Sequence, residues 1–146
     1  MDIETNSTKD SKMDFKIELI ALPVSDADRS RDFYERQCGF TVDHDQRVSD
    51  ELRFVQVTPP GSACSFAFGP GVSDTEPGSF RNATMVIDDA QAAFDFLVGN
   101  GVDADAPVDE GWGTFVYFRD PDGNRWALQQ MPDWSGLGYE PETETA

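Results

Sequence analysis

Histidine and cysteine are nearly missing from this chain: its 146 residues hold one His and two Cys. A lone imidazole, His44, cannot supply the paired histidines that most zinc, iron or nickel centres use. Cys38 and Cys64 form no CxxC pair, so no redox motif is present, and each reads as a small buried hydrophobe. Basic residues are scarce as well, with 11 Lys plus Arg against 28 Asp plus Glu and a formal net charge of −17. Such a field repels phosphate and argues against nucleic acid and anionic membrane as partners. No window approaches eighteen apolar residues, so no membrane span is expected. The opening MDIETNSTKDSKMD lacks the apolar core of a signal peptide, and a cytoplasmic setting follows as the expectation.

What is present is material for a core. Hydrophobic residues make up 38% of the chain, and eleven of its residues are Phe. The length suits one domain or two small modules sharing a core. Phe15 to Leu22 reads as a strand, followed by a helix from Ala27 to Cys38. Ser25 or Asp26 stands at its N-cap and Gly39 at its end. Three further strands follow over 40–45, 51–57 and 63–69. Residues 70–79, rich in Pro, Gly and Ser, read as a connector. The pattern then restarts: a strand over 82–87, a helix over 90–99 opened by Asp88 or Asp89, and an irregular strand over 102–108. The hairpin comes last, with Asp120 to Asn124 as its turn. There Pro121 presets φ, Asp122 bonds its own backbone and Gly123 takes a positive φ.

The two halves repeat. Val24, Asp26 and Phe33 recur as Ile87, Asp89 and Phe96 at an offset of 63, and Gly39, Pro59 and Gly61 recur as Gly101, Pro121 and Gly123 at an offset of 62. Each half thus reads strand, helix, strand, strand, strand. A unit of that size leaves one sheet face uncovered, and two units together solve the burial problem.

Three blocks carry a resemblance: PVSDADRSRDFYERQCGF at 23–40, MVIDD at 85–89 and YFRDPDGNRWALQQ at 117–130. Together they resemble the vicinal oxygen chelate superfamily, which includes glyoxalase I, bleomycin-resistance proteins and extradiol dioxygenases. The resemblance implies an α+β fold in which two tandem βαβββ modules form a curled mixed sheet around one cavity, usually in a homodimer. The expected organisation is a disordered tail over 1–14 and one glyoxalase-like domain over 15–131. That domain divides into a first module 15–69, a linker 70–81 and a second module 82–131. A second tail covers 132–146, whose Trp134 and Tyr139 are available to pack on the body.

In metal-dependent relatives each module gives one ligand from its first strand and one from its last. Carried over, these places fall on Leu19, Ser65, Asn82 and Ala127. Leu and Ala have no lone pair to give, and Ser and Asn are weak neutral donors, so neither metal nor other cofactor is expected. Strand alternation then brings Ile17 and Ala21 to the side of Leu19, Ala63 and Ala67 to that of Ser65, Thr84 and Val86 to that of Asn82, and Arg125 and Gln129 to that of Ala127. The expected ligand-binding set is Leu19, Ser65, Asn82, Thr84, Trp112, Tyr117, Ala127 and Gln129. Trp112, between two glycines, is the candidate for a lid aromatic, and Phe54 and Tyr117 for stacking.

Open alternatives attach to several of these residues. Asn82 serves a ligand or a backbone group, and Arg125 a rim ion pair or an anion. Asp120 and Asp122 read as turn residues rather than as a catalytic pair. His44 is a solvated edge residue, a cavity residue or a general base. The leading expectation is a metal-independent protein of the bleomycin-resistance kind that binds or sequesters an organic small molecule in the inter-module cavity. The alternative is a metal-free isomerase, epimerase or lyase-type enzyme on the same scaffold, with His44, Asp43, Asp45 or Glu51 as base.

Overall fold

The computed structural model describes residues 13–133, so most of both expected tails, with Trp134 and Tyr139, lies outside the described residues. The first half runs β1 (Leu19–Ala21), α1 (Ala27–Asp32), β2 (Thr41–Arg47), β3 (Arg53–Thr58) and β4 (Ser65–Phe68). The second runs β5 (Arg81–Ile87), α2 (Ala90–Gly99), β6 (Asp103–Ala104), β7 (Val108–Asp109), β8 (Thr114–Arg119) and β9 (Arg125–Gln130). Both helices begin as the capping residues dictate. Asp26 is extended and accepts from the Arg29 amide, and Asp89 does the same for Ala92. The first helix loosens after Asp32 into π-type turns over Phe33–Gln37.

The repeat is realised in the pairing. β1 lies parallel to β4 and β5 parallel to β9, while β3–β4 and β8–β9 form antiparallel hairpins. The strand orders are β1-β4-β3-β2 and β5-β9-β8-β6, with β7 also on β8. β1 is shorter than the expected strand over 15–22. Its partner β4 begins at Ser65, opposite Leu19, so Phe15 and Ile17 have no strand beside them and stand 87% and 74% exposed.

The expected curled sheet around one cavity is not what forms. Two separate open sheets are present, neither curled nor closed, and among the described residues no pairing joins their edges. Two physical reasons are visible. β1 offers only three residues of edge, and β5 carries an irregularity between Arg81 and Ala83 where Asn82 takes a φ of 64°. Interrupted edges make poor templates for further pairing. Burial is met differently: Val55, Val57, Phe66 and Phe68 of one sheet join Val116, Phe118, Trp126 and Leu128 of the other in a single core with Tyr34, Phe33 and Leu97. The helix-side faces of the sheets supply that core, which leaves their other faces open.

The turn at 120–124 locks the halves together. Asp120 accepts from the Tyr34 hydroxyl at 2.8 Å, and that hydroxyl also accepts from the Trp126 indole at 2.8 Å. Asn124 is fully buried, donates to the Pro23 carbonyl and accepts from the Phe80 amide. Asp122 takes the amide and hydroxyl of Ser25 and the guanidinium of Arg29. The turn chemistry expected of Asp120 is there, since it accepts the amides of Asp122 and Asn124. Its second oxygen does long-range work that local sequence does not announce.

Candidate functional site

Strand register decides which side chains reach the open faces. On the second sheet, Ala83, Met85, Trp126, Leu128, Val116 and Phe118 pack toward the core. Their alternates Thr84, Val86, Arg125, Ala127, Gln129, Phe115 and Tyr117 therefore share the opposite face. Phe115 and Tyr117 lie stacked there, centroids 5.8 Å apart and planes at 10°. The Arg125 guanidinium sits 4.5 Å above the Tyr117 ring, and Trp112 stands edge-on to Phe115 at 6.5 Å. Four side chains thus make one continuous π-surface. Trp112 is 62% exposed at its end.

Polar groups pin this surface. Arg125 donates through Nε and Nη2 to Asn82 Oδ1 at 3.1 and 3.0 Å, which fixes the guanidinium over the ring. The Tyr117 hydroxyl donates to Glu110 at 3.0 Å. Partial burial and this carboxylate both hold its proton on, pushing its pKa up. Gln129 donates to the Trp112 carbonyl at 2.8 Å and so anchors the Trp112 loop. The approach needs glycine: at Gly113, with φ of 153°, a Cβ would meet Gln129 Nε2 at 2.8 Å. Thr84 bonds the Asn82 carbonyl.

On the first sheet Val42, Val55, Val57, Phe66 and Phe68 belong to the core side. The open face carries Leu19, Ser65, Ala67, Phe54, Gln56 and Thr58, with His44 opposite Gln56. A hydroxyl chain crosses it. Thr58 meets Ser65 Oγ at 2.6 Å and donates to the Asp43 carboxylate, which Gln56 also approaches. Of the four expected bases, His44 and Asp43 lie on this face, both exposed. Asp45 points to the helix side between Arg31 and Arg53, where hydrogen bonds from Arg53 first and Arg31 next hold its pKa down at about 2. Glu51 is exposed before β3, away from the others.

The register refines the four carried-over positions. Leu19 is opposite Ser65, and the residue opposite Ala127 is Thr84. Asn82, two residues earlier, is the bulge that holds Arg125. At these places the donor chemistry is alkyl, hydroxyl and amide, which does not fit Zn, Fe, Ni or Mn. Among the described residues no three His, Cys, Asp or Glu side chains converge as a metal cluster.

The structure thus gathers Asn82, Thr84, Trp112, Tyr117, Ala127 and Gln129 on one sheet face, and Leu19, Ser65 and His44 on the other sheet. Phe115 was missed, although its place two residues before Tyr117 on an alternating strand is the signal that would have found it. The Asp43–Thr58–Ser65 chain has no such local signal, because its members come from three strands.

Comparison with known proteins places the chain in a family. Residues 16–128 match the family model described as Glyoxalase/Bleomycin resistance protein/Dioxygenase superfamily. The crystal structure of TnmS3, an antibiotic binding protein from Streptomyces sp. CB03234, is similar with a TM-score of 0.76 and 33% identity, covering 83% of this chain and 99% of that one. A glyoxalase/bleomycin resistance protein from the same organism has a TM-score of 0.70 and 35% identity, covering 79% of this chain and all of the other. YetH of Bacillus subtilis (strain 168) is 26% identical over 119 residues, 79% of this chain and 98% of its own length.

Proposed function

This chain belongs to the Glyoxalase/Bleomycin resistance protein/Dioxygenase superfamily, and on that footing we propose that it is a metal-independent binding protein for an organic small molecule. The carrying observation is the π-surface of Trp112, Phe115, Tyr117 and Arg125, set beside positions whose alkyl, hydroxyl and amide groups do not suit Zn, Fe, Ni or Mn. A planar, partly apolar molecule gains contact area on such a wall, and the exposed indole can close over it. The kinship with TnmS3, an antibiotic binding protein, supports sequestration as the role. Nothing in that wall is placed to activate water.

A homodimer belongs to the same reading. The candidate residues lie on open faces of two different sheets, and Leu19 and Val86, 40% and 65% exposed on those faces, are apolar groups that a second copy would cover. The acidic surface favours a neutral or cationic ligand over a phosphate-bearing one.

The enzymatic alternative draws on the Asp43–Thr58–Ser65 chain beside His44, the one place where a carboxylate, hydroxyls and an imidazole share an open face. Native mass spectrometry of the protein as purified separates the readings. Binding without metal predicts a co-purified organic mass, unchanged after dialysis against a chelator and lost in Trp112→Ala. Stoichiometric, submicromolar uptake of a divalent metal would sink the proposal. Release of a chemically altered ligand, abolished by Asp43→Asn, would favour the enzyme.

A further inference from the structure

The internal repeat has an unequal pair of hairpins. Phe66 and Leu128 occupy matching places, each beside its module's first strand at Ile20 and Met85. Their antiparallel partners are Val57 and Val116. Residues 58–65 connect the first pair and residues 117–127 the second, so the second connection is three residues longer. The second connection carries three strand rungs beyond its matched pair, Tyr117 with Ala127, Phe118 with Trp126 and Arg119 with Arg125, where the first carries none. It also brings Asp120 onto Tyr34.

The shorter hairpin leaves its side unfilled. Its turn, Pro59 to Ser62, faces α2 as the turn at 120–124 faces α1, but across a cavity of about 490 Å³. The wall includes Met85, Ile87, Phe96, Leu97, Phe118 and Leu128. By the repeat offset, Leu97 of this wall stands where the other half has Tyr34, and Cys64, just past the turn and outside the wall, stands where it has Trp126. The half with the shorter hairpin thus has Leu and Cys where the other has two large aromatics. No charged side chain lines the cavity, in a chain whose net charge is −17. Its two hydroxyls are committed elsewhere, Ser62 to the Cys64 carbonyl and Thr84 to that of Asn82.

We propose that this cleft between α2 and the Pro59–Ser62 turn is a second ligand site, separate from the π-surface, which takes an uncharged one- or two-ring aromatic molecule. The internal symmetry supplies the occupant's chemistry: the equivalent space is filled by an indole and a phenol ring 6.4 Å apart. The volume falls within the usual span for small-molecule sites, about 300–1,000 Å³. Phe96, 52% exposed at the rim, has a free ring for a guest to cover.

Titration of the full chain with the neutral fluorophore N-phenyl-1-naphthylamine tests this. In a Trp112→Ala background, which disables the π-surface, saturable enhancement at one probe per chain is expected. Ala93→Phe, which builds a ring into the cleft, weakens it at least tenfold, and Phe96→Ala, at an exposed position that tolerates truncation, weakens it about threefold. Ala92→Phe on the exposed helix side and Tyr117→Ala on the π-surface leave it within twofold. Absence of saturation, parental affinity in both Ala93→Phe and Phe96→Ala, or loss of binding in Tyr117→Ala alone overturns the proposal. So does a dimer that Ala93→Phe dissociates while the parent takes up no probe, because the cleft is then a protein interface.

Discussion

Tyr34 gives its hydroxyl proton to Asp120, 86 positions further along, in a fully buried contact of 2.8 Å. The same oxygen accepts the Trp126 indole. Burial pushes the Tyr34 pKa well up, with the Asp120 charge adding to it, so the phenol stays a donor. Burial also raises the Asp120 pKa, partly countered by the hydrogen bonds it accepts from Asn124 and Tyr34.

Tyr34→Phe removes one atom, strands the buried indole N–H and leaves the Asp120 oxygen with the Asn124 amide as its remaining donor. Urea unfolding is expected to show a loss of about 2–3 kcal/mol with unchanged slope. Asp120→Asn is expected to lose at least as much, because its amide group turns donors toward donors.

The Asp45 cluster makes stability depend on acid. Asp45 is held at about 2, below the ordinary aspartate value of about 3.9, so its contribution is fully present above about pH 4 and disappears as pH falls through about 2. Thermal melts of parent and Asp45→Asn are expected to differ by a constant amount, about 1 kcal/mol, above pH 4. The two curves converge near pH 2. A gap that persists there would assign the effect to packing.

The two thiols differ in reach. Cys38 is 5% exposed and burial pushes its pKa up to about 12, while Cys64 is half-buried. Ellman's reagent at pH 8 is expected to modify one thiol per chain quickly and the second only in denaturant. A Cys38→Ala variant keeps the fast phase and loses the slow one.

The π-surface predicts a separation of binding from folding. Trp112→Ala touches an exposed ring, so the unfolding free energy should shift by no more than about 0.5 kcal/mol. Retention of the co-purified ligand is expected to fall about tenfold or more, as for a central aromatic contact. Asn82→Ala frees the Arg125 guanidinium and gives a smaller loss, read in the same mass-spectrometric assay.

Local rules explain what the sequence made legible. The Asp26 and Asp89 caps, the proline turns and the side-chain alternation of β4, β5 and β9 need only neighbouring residues, and each appears where those residues place it. Edge pairing is a different kind of problem, because it is decided between segments far apart in the chain. The sheets therefore stay open and separate where a curled one was expected. The bulge at Asn82 likewise moves Thr84 opposite Ala127, a shift that residue spacing alone does not show. The Asp43–Thr58–Ser65 chain became visible only once register was known, whereas Phe115 follows from Tyr117 by strand alternation.

The Tyr34–Asp120 contact also sets an order of events during synthesis. A ribosome that has released the whole first half has delivered Tyr34, Pro23 and Ser25 but none of the groups that meet them in the folded chain. Asp120, Asp122, Asn124 and Trp126 emerge together, 86 to 101 positions after the residues they meet. Until then the Tyr34 hydroxyl lacks Asp120 and Trp126, the two groups that pair it in the folded chain.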